Sequence, residues 1–292
     1  MKSARVPALL FCALAFSSAA FSQTWVSNAG SDSNACTMAA PCKTFQHAAG
    51  VTPVGGQLAV LNAGDYGPLT ITQSIRIEGN GFAANNSTTT SDAIVVNTPA
   101  GSVVQIHNLS LHGNGSVEGI YFENAGALDV DHVQITGFEE GIVVAPSGVS
   151  DAVIKDTTVE NCNYVCLFFE GTSASALTAK IINTHVRDGS YGIYAYQATV
   201  AAYNSTFSSP GTPSSSSITY GILTEAGSSV FVDNCEFNGF YFGIWSGANV
   251  LVSRSSFINN LTGVIYSVAS NGNNSFFGNT TNGTFSSTIP LQ

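Results

Sequence analysis

The chain has 292 residues, of which only 9% are charged, and a formal net charge of −10. Ordinary soluble domains carry roughly 25% charged residues; here Gly, Ser, Thr and Asn fill the space. The negative balance argues against nucleic acid or an anionic membrane as partner, since both bring dense negative charge of their own.

Taken in chain order, Lys2 and Arg5 precede an apolar run from Val6 to Phe16 and a small-residue stretch from Ser17 to Ser22. This is the pattern of a secretory signal peptide, too short and wrongly flanked for a membrane span, with cleavage expected between Ser22 and Gln23. No later segment is long and apolar enough to cross a bilayer. The mature chain is therefore expected to be secreted, extracellular or periplasmic, and monomeric. Its cysteines suit an oxidising compartment. Cys36 and Cys42 bracket "CTMAAPC" and are expected to pair. Cys162 and Cys166 offer a second local pair, and Cys235 is left over. Zinc is the rival reading, but no His stands at finger-like spacing.

From Val104 onward the sequence repeats. Asn-x-x-(Phe/Val/Leu) recurs at Asn108, Asn183, Asn204, Asn234 and Asn273, with His132, Asp156 and Arg254 in the same slot of the intervening copies. Downstream lie Gly119-Ile120, Gly141-Ile142, Val165-Cys166, Gly192-Ile193, Gly221-Ile222, Gly243-Ile244 and Gly263-Val264, separated by 20 to 29 residues. Such a period means a solenoid. Each copy holds three short runs of strand character; in the Asn108 copy these are Val104–His107, Leu109–Leu111 and Gly119–Phe122. Alternation puts Val104, Ile106, Leu109, Leu111, Ile120 and Phe122 on one side. Each strand then pairs in parallel with its equivalent about 4.8 Å away in the next turn. Stacking buries a core that no single copy could bury alone. The expected fold is all-β, a parallel β-helix. The recurrent Asn suits a bend that needs left-handed backbone angles, and its amides are expected to bond up the stack as a ladder.

Two further stretches carry a family resemblance: "TWVSNAGSDSNACTMAAPCKTFQHAAG" from Thr24 and "GGQLAVLNAGDYGPLTITQSIRIEGNG" from Gly55. With the repeat, they resemble the right-handed parallel β-helix proteins of the pectin-lyase-like superfamily. The resemblance implies a short N-terminal capping helix over residues 44–51, which shields the first coil from edge pairing. The implied division is a signal peptide (1–22), an N-terminal strand and helix (23–56), the β-helix (57–278) and a polar tail (279–292). It also implies a polysaccharide partner, although one fold hosts many functions.

The enzyme subfamilies have motifs of their own, and this chain departs from them. Against the polygalacturonase set it offers only "NTH" at 183–185 and "RIE" at 76–78, with no Asp-Asp and no Gly-His-Gly. "DVDHVQI" at 129–135 lacks the basic element of pectate lyases. No catalytic residue transfers by family. Substrates of the superfamily lie along the strand that follows Gly-Ile here, and the residues expected to point outward there include Tyr121, Leu167, Phe169, Tyr194 and Trp245, with Tyr191 in the preceding loop. Rings on a polar surface suit the apolar faces of sugars, which makes Tyr121, Tyr191, Tyr194 and Trp245 the candidate substrate-binding residues; rings also simply cover strands. Two enlarged loops, Phe82–Asp92 and Ser208–Thr219, are expected to wall the groove.

Glu118 and Glu140 occupy equivalent positions in adjacent turns. Close carboxylates raise one another's pKa or hold a cation such as Ca²⁺; either serves catalysis, with Arg187 the third candidate as a base. Solvated, idle loop carboxylates are the bland alternative. His107, Asp129, Asp131, Lys155 and Lys180 read as ion pairs lacing adjacent turns. Two functions follow: a lyase or glycosidase acting on an extracellular polysaccharide, or a non-catalytic glycan-binding or surface-structural solenoid.

Overall fold

The computed structural model describes residues 23–85, 91–124, 126–173, 176–210 and 217–290. The expected signal peptide lies outside these, as do residues 86–90 and 211–216 of the two enlarged loops. Within them the chain winds into a right-handed parallel β-helix, with every strand pairing of the coils parallel. Three strands per coil form three sheets running along the axis. The first sheet includes Ser102–His107, Gly126–Asp131, Ser150–Lys155, Leu177–Ile182 and Thr199–Tyr203. The second includes Thr158–Glu160, His185–Arg187, Thr206–Ser208 and Glu236–Asn238. The third includes Val165–Glu170, Tyr191–Tyr196 and Tyr220–Thr224. Elsewhere successive strands run together, as in Ser110–Phe122, Gln134–Val144 and Phe242–Ser253.

The core is made of columns, because in-register parallel pairing puts equivalent side chains directly above one another. Ile120, Ile142, Leu167, Ile193, Ile222, Ile244 and Val264 form one column, all buried. On the second sheet Val186 leads into Phe207, Phe237, Phe257 and Phe276, whose rings stack at 5.1, 5.2 and 5.1 Å between centroids.

One coil departs from the sequence alignment. Leu167, not Cys166, pairs with Ile142 and Ile193, because 11 residues separate the corner from the core column in this coil and 10 in its neighbours (Asp156 to Leu167 against Asn183 to Ile193). Side chains alternate, so one extra residue exchanges inside for outside. Leu167 and Phe169 are core residues and Phe168 faces out. Cys162 and Cys166 are buried free thiols here, as is Cys235, while Cys36 and Cys42 are disulfide-bonded.

The corner slot is left-handed as expected. Asn108, His132, Asp156, Asn183, Asn204, Asn234 and Arg254 all have φ between 47° and 55°; Asn273 does not, and Gly272 beside it has φ 82°. The amide ladder is a correction. These corners are exposed, and the inter-coil bonds of Asn108 to Glu78 at 2.8 Å, Asn183 to Asp156, and Asn234 Nδ2 to Asn204 Oδ1 at 2.8 Å are separate rungs and not one continuous stack of amides. The buried ladder stands one residue later. Thr184 N–H donates to Ser205 Oγ at 3.1 Å, and Cys235 N–H to Ser255 Oγ at 3.1 Å. The Ser205 and Ser255 hydroxyls in turn donate to the carbonyls of Tyr203 and Ser253. A hydroxyl can accept and donate at once, which satisfies backbone groups that the sharp bend leaves unpaired. Accordingly, Asn204→Ala is expected to cost about 1–2 kcal/mol through its left-handed backbone alone, and Asn204→Gly to leave the denaturation midpoint near that of the parent; equal losses in both would point to the amide bonds instead.

The N-terminal cap is the helix Phe45–Val51, which buries Phe45, Ala48 and Ala49 against the first coil. Thr44 caps it, accepting from His47 N–H at 3.2 Å. Asp32 of the "GSDSN" stretch fixes that cap: it accepts from the backbone N–H groups of Lys43 and Thr44 at 2.8 and 2.9 Å, and from the Thr44 hydroxyl at 2.8 Å. Desolvation opposes its charge, yet these donors hold the carboxyl below its ordinary value.

Candidate functional site

The outward column of the third sheet runs Val95, Tyr121, Val143, Phe168, Tyr194, Leu223, Trp245, Ile265. Tyr121, Tyr194 and Trp245 therefore share one line, as the repeat predicts. Beside it lies a second line, Tyr191, Tyr220 and Phe242. The Tyr191 and Tyr220 rings stack at 5.1 Å, 1° from parallel, and Tyr220 stacks on Phe242 at 5.4 Å. Phe168 stacks on Tyr194 at 4.9 Å, Tyr191 lies 5.8 Å from Tyr194, and Tyr164 meets Tyr191 edge-on at 5.2 Å. The result is an aromatic strip of stacked rings along the axis, with Tyr121 and Trp245 set off from it in the outward line by Val143 and Leu223.

Tyr266 extends the strip at its C-terminal end. It is paired with Ser246, a buried position, but its φ is 67° and the side chain is 60% exposed. A bulky residue in this backbone region is strained. The strain turns the ring out of the core column and against Trp245, edge-on at 5.3 Å.

Toward the N-terminus the strip passes into carboxylates. Glu118 and Glu140 are register partners, about one strand spacing apart at the backbone, and both are half-buried. Asp92, in the chain just before the strand Ile94–Val96, joins them: its Oδ1 accepts from Glu118 N–H at 3.3 Å. Burial pushes the Glu118 carboxyl up, and the hydrogen bond and charge of Asp92, then Glu140 and Glu139, take it to about 8. Glu140 is raised as well, by burial first and then by Glu139 and Glu170. Tyr121 faces the same carboxylates: burial, Glu123, Glu118 and Asp92 push its hydroxyl up. Farther along, the Tyr194 hydroxyl donates to Glu225 at 2.7 Å and is pushed up by burial and that bond.

Arg187 does not belong to this group. It sits on the second sheet in the strand His185–Arg187, where its Nη2 lies 2.5 Å from Glu160 Oε2. Its neighbours are Thr158, His185 and Thr206. A base role for Arg187 beside Glu118 thus loses its geometry. The ion pairs of the first sheet are as expected: His107 Nε2 to Asp129 at 3.1 Å and Lys155 to Asp131 at 3.1 Å. For a cation, Asp131, His132 and Asp156 each bring a ligand atom within 4.8 Å of the others, exposed at a corner; among the described residues the Glu118 cluster brings no such trio together.

Sequence reasoning missed Asp92, Phe168, Glu170 and Tyr266 as parts of this face. The signal for Phe168 was the 11-residue spacing. Tyr266 carries none, since only its left-handed backbone turns it outward.

The fold is a right-handed parallel β-helix. Three solved structures share it. A GH136 lacto-N-biosidase from Eubacterium ramulus is 11% identical, with a TM-score of 0.59 over 92% of this chain and 68% of its own. A rhamnogalacturonan lyase is 13% identical, with a TM-score of 0.54 over 81% and 74%. Pectate lyase Pel9A is 13% identical, with a TM-score of 0.61 over 91% and 78%. No family model matches the sequence, and no curated protein matches it. No helix of the described residues is long and apolar enough to cross a membrane.

Proposed function

We propose that this is a secreted protein that binds a polysaccharide along the third sheet and hydrolyses it as a glycosidase. Tyr121, Tyr191, Tyr194 and Trp245 stack against sugar rings in this reading. Glu118 is the general acid and Glu140 its carboxylate partner, with Asp92 holding the proton on Glu118. The observation that carries it is the register pairing of Glu118 with Glu140, with Asp92 against Glu118, at the end of an aromatic strip. Breaking a glycosidic bond needs a proton for the leaving oxygen and a carboxylate to meet the charge that develops on the ring. Two carboxyl groups side by side can divide those tasks, one giving the proton and the other meeting the charge. A lyase would instead need a strong base at this face, and Arg187 is elsewhere.

The test is a glycan panel with the mature protein, read for binding and for new reducing or unsaturated ends, with and without Ca²⁺. A Tyr194→Ala, Trp245→Ala double variant is expected to bind several-fold to tens-fold more weakly, at about 1 kcal/mol per lost ring. Equal binding by the variant moves the ligand to another face. Binding without any product from any polymer leaves the non-catalytic reading in place and removes the glycosidase.

A further inference from the structure

We infer that the glycan taken by this face bears no acidic groups along the section that crosses the third sheet: the binding strip is built of rings and carboxylates, and among the described residues no Lys or Arg reaches it. The inference rests on the reading of the third sheet as a glycan face. It concerns the class of sugar, which that reading leaves open.

The chain has eight Lys and Arg residues; Lys2 and Arg5 precede the described residues. Lys43 is beside the N-terminal cap, its Nζ donating to the Asn28 carbonyl. Arg76 pairs with Glu78, and Lys155 with Asp131, both on the first sheet. Lys180 lies on the first sheet between Val153 and Ala201. Arg187 pairs with Glu160 on the second sheet, and Arg254 with Asp233 at a corner between the first and second. Among the described residues none stands on the third sheet.

The third sheet carries the opposite charge. Glu123 stands two residues beyond Tyr121, accepting from Asn97, and Glu170 two beyond Phe168, paired in register with Tyr196. Glu225 bonds the Tyr194 hydroxyl in the middle of the aromatic strip. Asp92, Glu139 and Glu140 close the N-terminal end around Glu118. A uronate polymer laid along this line would meet carboxylates at the N-terminal end of the rings and in their midst, with no guanidinium or ammonium among the described residues to pair with. An unpaired charge in such a place is disfavoured, and like charges within a few ångströms repel. A neutral sugar meets no such barrier, because ring stacking is indifferent to sign and carboxylates accept readily from hydroxyls. Calcium could bridge acid to acid only if ligands converged, and among the described residues these carboxylates do not gather three ligand atoms within 4.8 Å.

The experiment uses the full mature protein against a neutral galactan, arabinan and β-glucan and against polygalacturonate. Each is measured at low and high salt, with EDTA and with added Ca²⁺, beside the folded Tyr194→Ala, Trp245→Ala variant. Retention by at least one neutral polymer is expected, little changed by salt and at least several-fold weaker for the variant, with no retention by polygalacturonate in any condition. Polygalacturonate binding that the variant loses, with or without Ca²⁺, would overturn the inference and leave the glycan face standing. Neutral binding that the variant keeps, or no binding to any polymer, counts against the face itself and takes the inference with it.

Discussion

Phe237→Ala is expected to lower the stability of the protein by about 3–5 kcal/mol, the usual range for deleting a fully buried aromatic ring. Phe237 is fully buried and has a stacked ring on each side, Phe207 at 5.1 Å and Phe257 at 5.2 Å. Its truncation opens a gap in the middle of a column whose neighbours are fixed by backbone pairing on both sides, so the coils cannot collapse into it. Phe276, in the last ring of that column, is only partly buried, and Phe276→Ala should cost less. Chemical denaturation of the two variants checks this, and equal losses would mean that the column does not transmit packing from coil to coil.

Glu118→Gln is expected to reduce polysaccharide cleavage by about 10²–10⁴-fold with binding nearly unchanged, because glutamine keeps the shape and cannot give up a proton. In the parent, activity should fall on the alkaline side with a midpoint near pH 8, the value to which burial and Asp92 raise this carboxyl. Glu140→Gln should also abolish turnover while sparing binding. The same proton has a consequence for stability. Glu118 holds it more tightly folded than unfolded, so its contribution is complete below the ordinary carboxyl value and is lost as pH rises through about 8. Glu118→Gln should therefore flatten the decline of melting temperature over that window. A pH profile of activity with no alkaline limb near 8 would remove Glu118 from the role of acid.

Most of the fold was legible because its two strongest signals are local and repeated. A corner demanding left-handed backbone shows itself as Asn, Asp or His in one slot, and an inward column as Ile after Gly. Where the repeat lost or gained one residue, as between Asp156 and Leu167, the period-2 alternation turned the small miscount into an inverted face. The amide ladder failed for a different reason. The sequence marks which residues bend, but not whether the bend lies inside or outside, and it lies outside; the hydroxyls of Thr184, Ser205 and Ser255 one step on are the buried ones. At the site, Glu118, Glu140 and the rings share a register that the repeat defines. Asp92 approaches Glu118 from 26 residues away across a loop outside the repeat, and Arg187 is drawn off by Glu160, a partner that becomes its neighbour only through the pairing of Thr158–Glu160 with His185–Arg187.

The pairing registers have a bearing on how such a chain reaches its fold. Partners in adjacent coils are separated by 18 residues at the short end, Val250 with Val268, and 34 at the long end, Val26 with Val60. No strand has to wait for a distant one, so loop-closure entropy is met in small, similar steps. A chain delivered N-terminus first can set its cap, lay the first coil against it and use each finished coil as the template for the next. Asp92, Glu118 and Glu140 then come together while the C-terminal half is still unordered, and the aromatic strip is added to a carboxylate end already in place.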